Sequence, residues 1–384
     1  MKLKETLSWL LGTFQRSLFP YLEECFEAPL TEQQRHLTQI LEILAVERFV
    51  PKNAAHQWMG RKLREREAIA RSFVAKALYR LATSRAVIRA LVESPNLRRI
   101  CGFERKSDIP SESTFSRAFQ EFAKTDLGDQ VHQVLVKETL KPQLVGHIAR
   151  DATAIVGREK AAPPAKKEKP ASRKRGRPAK GEIREKKQDR RLTQQISEEA
   201  LESLKKIPTH CDTGTKKNSQ GYKETWKGYE LHADVNDCGL PVSIILTSAS
   251  VHDSQVAIPL MKMTSQRVDY LYDLMDAAYD AREIYEVSRT LGHVPLIDKN
   301  PRGKKVMPMA PHEAIRYREW TVCERFNSRI KEEFGGHGPR VSKGETPSHV
   351  WGDRPLCGSA AKIGSLISGC NKKIGTQETY ARNL

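Results

Sequence analysis

Three carboxylates stand in contexts that fit one another. Asp151 lies in Arg150-Asp151-Ala152-Thr153, Asp276 in Met275-Asp276-Ala277-Ala278-Tyr279-Asp280, and Glu324 in Tyr317-x2-Trp320-x3-Glu324-x6-Lys331. The first two each follow a short apolar, strand-like run, and the third lies on a segment with helical periodicity. Carboxylate oxygens are hard ligands, and two or three of them suffice for Mg²⁺ or Mn²⁺, because such ions keep several waters of their own. A pair of ions about 3.5–4 Å apart can make an attacking oxygen reactive and neutralise a leaving one, which is what cutting and joining a phosphodiester requires. At about 3.6 residues per turn, Tyr317, Trp320, Glu324 and Lys331 fall on one helix face. That face would bring Lys331 to a phosphate near the ions and Tyr317 to stack or hydrogen-bond at the nucleic acid.

Each residue taken singly has a plainer reading. Asp151 could cap the turn before Val156-Gly157, and Asp276 could be a surface turn residue with Asp273 or Asp280 as the true ligand. Glu324 and Lys331 could belong to a solvated charged face. His252-Asp253-Ser254 offers a fourth acid, but a helix amino-terminal cap accounts better for Asp followed by Ser. The order and spacing of the three acids together carry the reading, and no single motif does.

The elements that must position these residues are legible in outline. Apolar residues recur at helical spacing over 31–145, at Leu37, Ile40, Leu41 and Leu44, at Ile69, Phe73 and Leu78, and at Val87, Ile88, Leu91 and Val92. After the turn at Asp108–Thr114, Phe115, Phe119 and Phe122 share a face and leave Ser116, Arg117 and Gln120 outside. Two structures fit that pattern: a helix-turn-helix reader with Arg117 towards DNA, or an ordinary bundle with a phenylalanine core. A strand from Val145 to Ile155 carries Asp151. A hairpin follows, from Tyr229–Val235 through Asn236-Asp237-Cys238-Gly239 to Val242–Leu246. Then come a helix over about 254–264, a strand Tyr270–Met275 delivering Asp276, a helix near 282–291, a strand Val294–Ile297, and one helix over about 312–334. Strands alternating with helices predict an α/β mixed sheet flanked by helices, behind an all-helical amino-terminal domain.

The chain has 384 residues and a formal net charge of +18. Residues 158–191 hold 15 Lys/Arg and 5 Asp/Glu, so they supply 15 − 5 = +10 of it. A solvated linker or a polyphosphate-binding segment would both look like this. Within it, Lys174-Arg175-Gly176-Arg177-Pro178 resembles an AT-hook, in which the glycine admits the backbone to the minor groove floor and Arg175 and Arg177 meet its deep negative potential. No apolar run approaches the ~18 residues of a membrane span, and Met1-Lys2-Leu3-Lys4-Glu5 lacks a signal-peptide core. Seven scattered cysteines without a Cys-x2-Cys pair read as reduced thiols.

On these motifs the chain resembles the DDE transposases of bacterial insertion sequences, in the branch with a Tyr-Arg-Glu-Lys helix around the last carboxylate. The resemblance covers roughly 37–334 and is strongest over 228–331. It implies an RNase H-like catalytic domain with Asp151, Asp276 and Glu324 as metal-binding catalytic acids, and Mg²⁺ or Mn²⁺ as cofactor. It further implies Tyr317 and Lys331 at the DNA, and double-stranded element ends and target DNA as partners. A homodimer in a synaptic complex and a bacterial cytoplasmic, nucleoid-associated location follow from the same likeness, with no membrane partner. Two departures stand out: Trp320 occupies the arginine position, and Ala278 that of a glycine after the second aspartate. The expected domains are 1–144, helical and DNA-binding, and 145–334, catalytic and interrupted by a basic disordered insertion at about 157–195. A tail at 335–384 lacks the family's closing apolar helix; either a divergent native end or a frameshift near Gly335–Arg340 would produce it. Competing functions are a non-catalytic DNA-binding derivative, which Trp320 favours, and a stand-alone RNase H-like nuclease.

Overall fold

The computed structural model describes residues 29–50, 66–81, 83–140, 144–157, 160–161, 191–217, 220–302 and 307–333. The AT-hook residues Lys174, Arg175 and Arg177 and the tail at 335–384 lie outside them. The chain divides into two compact units, with the boundary between His132 and Gln133.

The first unit is helical. Thr31 caps α1 (Glu32–Leu44) in a reciprocal pair: Gln34 N donates to Thr31 Oγ1 at 3.2 Å, and Thr31 N to Gln34 Oε1 at 3.0 Å. Leu37, Ile40, Leu41 and Leu44 are buried, as their spacing predicts. They are followed by α2 (Arg66–Leu78), α3 (Ser84–Glu93), α4 (Pro95–Cys101), α5 (Glu112–Lys124) and α6 (Leu127–Leu140), which crosses the boundary. On α5, Phe115 and Phe122 are buried and Phe119 half-buried; all three rings sit 5.8–6.3 Å from Phe73 of α2. The phenylalanine stripe is therefore core. Ser116, Arg117 and Gln120 lie on the exposed side of α5.

The second unit is built on a six-stranded mixed sheet: β1 (Val145–Val156), β2 (Asp212–Lys217), β3 (Lys223–Asn236), β4 (Pro241–Ser248), β5 (Tyr270–Met275) and β6 (Val294–Ile297). β3 runs antiparallel to β1 (Ile148↔Asn236 to Val156↔Gly228) and to β4, whereas β5 is parallel to β1 (Val145↔Tyr270 to Arg150↔Met275) and β6 parallel to β5. An antiparallel meander extended by parallel strands is the RNase H-like arrangement. Two short helices, α7 (Arg191–Ser197) and α8 (Ala200–Lys205), precede β2; α9 (Ser254–Ser265) and α10 (Arg282–Thr290) flank β5; α11 (Pro311–Tyr317) and α12 (Thr321–Glu333) follow β6. Neighbours on a strand point to opposite faces. Leu274 joins the core of α12 with Cys323, Phe326 and Ile330, whereas Met275 joins that of α9 and α10 with Ile258, Met261 and Ile284. Helices thus cover both faces of the sheet.

Four sequence expectations need correction. The insertion expected to run to about 195 ends earlier, because α7 begins at Arg191. The hairpin strand expected from Tyr229 begins at Lys223 and pairs there with β2, whose polar Asp-Thr-Gly-Thr-Lys-Lys sequence carries no apolar alternation. The single helix over 312–334 is two helices, α11 and α12, joined by a 3-10 turn at Arg318–Trp320. Asp151 lies within β1, which continues to Val156, so it caps no turn. β3 exchanges β2 for β4 at Gly228, whose φ of +150° and missing side chain are both used: a Cβ there would lie 2.1 Å from Ile155 O.

The polar centre of this unit is Arg150, which has no solvent exposure. Its Nε and Nη2 donate to Asp234 Oδ1 and Oδ2 at 2.6 and 2.7 Å, and Nη1 stands 3.4 Å from Asp273 Oδ1. Thr264 of α9 donates to Asp234, and Ser288 of α10 and Tyr270 donate to Asp273. Burial works against the charged guanidinium, but Asp234 and Asp273 outweigh it and push its pKa up. Removing one partner of a buried pair strands the other charge, at a cost of about 3–5 kcal/mol. Arg150→Met should therefore lower unfolding free energy by at least about 3 kcal/mol in urea titrations of the full chain; a loss below about 1 kcal/mol would show that the network is not needed for stability.

Candidate active site

Strand register decides where the first two acids lie. β1 and β5 run side by side until Arg150 meets Met275, and the next residue on each strand is Asp151 and Asp276. Both strands deliver a carboxylate to the same end of the parallel pair, the end at which mixed α/β sheets bind ligands. Asp276 then leaves the sheet: its Oδ1 accepts from Ala278 N at 3.0 Å and caps the 3-10 turn Ala277–Tyr279. That bond uses backbone alone, so Ala278 in place of glycine leaves it intact. Neither alternative to Asp276 is placed like it. Asp273 is buried against Arg150, and Asp280 is paired with Lys299 and Arg302.

Asp151 is held from the other side by α12. Asn327 Nδ2 donates to Asp151 Oδ2 at 2.9 Å, and Cys323 Sγ to Ala149 O at 2.8 Å. Trp320 Nε1 donates to Arg150 O at 3.1 Å and its ring stacks on Tyr317 with centroids 6.3 Å apart. The residue at the family's arginine position is thus a packing residue on β1, half-buried against the core of α12. Asn327 was not singled out in the sequence, although it sits three residues after Glu324 on the same helix.

Several of these carboxylates feel one another's charge. Burial pushes the Asp151 carboxyl up to about 7, and the charges of Asp276 and Asp253 add to the rise; a backbone N–H at Ala152 and the Lys216 ammonium oppose it. Asp276 is raised mainly by burial and by Asp253. Tyr317 is raised by burial and by the negative charges of Asp298, Asp276, Asp151 and Glu324. Glu324 is exposed in the first turn of α12, and Lys331 is half-buried two turns further on. Arg117 lies in the first unit, where its Nε donates to Ser113 O at 3.3 Å.

Asp253 departs from its expected role as a helix cap. Its backbone is already helical (φ −50°, ψ −43°) and its side chain makes no cap bond; His252 Nδ1 accepts from Ser254 N instead. It is buried beside Lys216, which no sequence motif marks, because β2 carries no apolar alternation.

A family described as a transposase domain (DUF772) matches residues 25–121, and the family described as the transposase DDE domain matches 204–345. Together they span more than half of the chain, in the order the sequence motifs require. The chain belongs to the DDE transposases. The second match includes Asp276, Glu324 and Lys331 of this transposase and begins after the strand that carries Asp151. No protein with a curated description and no solved structure matches it. Among the described residues no helix is long and apolar enough to cross a membrane.

Folding raises Asp151 far above its range in the unfolded chain, so the folded transposase keeps a proton that the unfolded chain has already released. Its contribution to stability is then greatest below about pH 4 and declines as pH rises to about 7. Calorimetry in chelator-treated buffer should find Asp151→Asn melting higher than the parent above pH 7 and a shallower decline between pH 4 and 7; parallel curves would assign the slope to other groups.

Proposed function

We propose that this transposase binds the terminal repeats of its element, hydrolyses phosphodiester bonds at the ends, and joins the freed 3′ ends to target DNA through Asp151, Asp276 and Glu324. What supports the proposal is the register of β1 and β5, in which Asp151 and Asp276 are the residues next after the Arg150–Met275 pair, together with the bond from Asn327 to Asp151, since Asn327 belongs to the helix that also carries Glu324. The donor set fits Mg²⁺ or Mn²⁺: it is all oxygen, and carboxylates that resist ionising together are relieved by a positive ion. When bound, the ions would make the attacking oxygen reactive and neutralise the leaving one. The protein's own part is orientation. Asn327 fixes the Asp151 carboxylate and Ala278 N fixes that of Asp276, so both are set before the ions arrive. Tyr317, with its proton held firmly, can donate to a phosphate oxygen, and Lys331 can neutralise one.

DNA affinity would come largely from elsewhere. The +10 segment at 158–191 offers many phosphate contacts, Lys174, Arg175 and Arg177 would read an A·T-rich minor groove, and the exposed face around Arg117 would contribute to end recognition. Synapsis of two ends calls for a homodimer on DNA. The setting would be the bacterial cytoplasm, at the nucleoid. A second reading, a DNA-binding derivative without catalysis, draws on Trp320, because the phosphate contact its arginine counterpart would make is missing.

Replacing Asp151, Asp276 or Glu324 by Ala should abolish Mg²⁺-dependent cleavage of end-bearing DNA and leave binding within about twofold. Cleavage surviving any one substitution would remove that residue from the site, and wild-type binding without cleavage would select the second reading. Arg175→Ala with Arg177→Ala should weaken binding to A·T-rich duplexes more than to G·C-rich ones and reduce the slope of log affinity against log salt by up to about 1.8. Equal losses on both duplexes would leave only unspecific charge.

A further inference from the structure

Strand alternation puts Glu230 and His232 on the same face of β3 as Asp234, the face covered by α9, whereas Asp151 is held by Asn327 of α12 on the other. Asp253, immediately before α9, closes on them. All three side chains are buried, at 1%, 0% and 8% exposure, and each offers one ligand atom within 4.8 Å of the other two.

The hydrogen bonds fix the state of the imidazole. Thr247 Oγ1 lies 3.2 Å from Ser248 O, to which it can donate, and 2.9 Å from His232 Nε2, from which it can then accept. In that arrangement the ring proton sits on Nε2, and Nδ1 carries a lone pair. That lone pair points into a site where it meets no donor: Asp253 Oδ1 stands 3.9 Å off and is itself without a hydrogen bond. A second proton on the ring would relieve this, but burial drives the imidazolium out and lowers its pKa to about 4, even against the pull of Asp253. A lone pair and two carboxylates converge where a positive ion would sit. A neutral histidine whose far N–H is held by an acceptor is also how metal-bound imidazoles are oriented.

We propose that Glu230, His232 and Asp253 form a second cation site, for a divalent transition ion that accepts a nitrogen ligand, such as Mn²⁺ or Zn²⁺. Ligands about 2.1 Å from one ion stand about 3.0–3.5 Å apart, so atoms now within 4.8 Å of one another need to close by at most about 1.3–1.8 Å. Lys216 reaches the same carboxylates from β2, with Nζ 2.6 Å from Glu230 Oε1 and 3.5 Å from Asp253 Oδ2. Its side chain is 43% exposed, so it can swing out and open a path from solvent. Ammonium and metal ion compete for one pair of carboxylates.

The site does not depend on the role proposed for Asp151, Asp276 and Glu324, and can be tested with those ligands removed. Full-length protein carrying Asp151→Asn, Asp276→Asn and Glu324→Gln is titrated with Mn²⁺ and followed by electron paramagnetic resonance. One ion should remain bound, with nitrogen coupling from an imidazole. Adding His232→Ala should remove the coupling and weaken binding at least tenfold. Adding Lys216→Met instead should tighten it severalfold. Asp253→Asn provides a second test should His232→Ala not fold, and it too should cost at least tenfold in affinity. No retained ion, a retained ion without nitrogen coupling, or an affinity indifferent to both His232 and Asp253 overturns the proposal.

Discussion

A guanidinium sealed from water between two carboxylates joins three strands and two helices of the second unit. Arg150 comes from β1, Asp234 from β3 and Asp273 from β5, and the hydroxyls of Thr264 and Ser288 bring α9 and α10 onto the same pair of acids. A buried charge is tolerated only when its partners are in place, so the network selects one register among those that hydrophobic pairing alone would allow. A slip of one residue between β1 and β5 would leave the charges unmatched. It would also part Asp151 from Asp276, because the residues next to Arg150 and Met275 are those two acids. The same constraint that holds the sheet together therefore sets the spacing of these two carboxylates.

On the opposite face, α12 is tied to β1 by side chains that donate to backbone. Cys323 reaches Ala149 O and Trp320 reaches Arg150 O, while Asn327 reaches the Asp151 carboxylate. These bonds index the helix to the strand residue by residue, and Glu324 rides with it. Trp320 contributes a hydrogen bond to β1 and a ring stacked on Tyr317, so its part here is packing. The 3-10 turn at Arg318–Trp320 belongs to this fit, since Tyr317 and Trp320, three residues apart across it, have parallel rings.

Much of this could be read from the chain. The apolar runs before Asp151 and Asp276 are strands, as their pattern implied, although β1 continues past Asp151 to Val156 and the two strands also bury Arg150 and Asp273. What could not be read has a common cause. β2 is polar because it pairs with β3 beyond the main body of the sheet, so no alternation marks it, and Lys216 went unnoticed with it. Glu230 and His232 are buried polar residues in a strand that otherwise reads as core, and nothing local reveals that Asp253 closes on them. Asp253 followed by Ser imitates a cap, and only its helical backbone angles show that it is not one. The break between α11 and α12 was hidden because seven-residue spacing survives a single tight turn.

Gly228 fixes how far the two ends of β3 can move apart. The strand turns from β2 to β4 at this residue, where the backbone of β1 passes too closely for any side chain. Lys216 belongs to the β2–β3 ribbon, and its side chain is partly exposed. Moving that side chain away from Glu230 and Asp253 would break none of the pairs in the central strands. The sheet would stay rigid while its charge inventory changed, and the carboxylates that feel Lys216, Asp151 and Asp276 among them, would register the motion as a change of field.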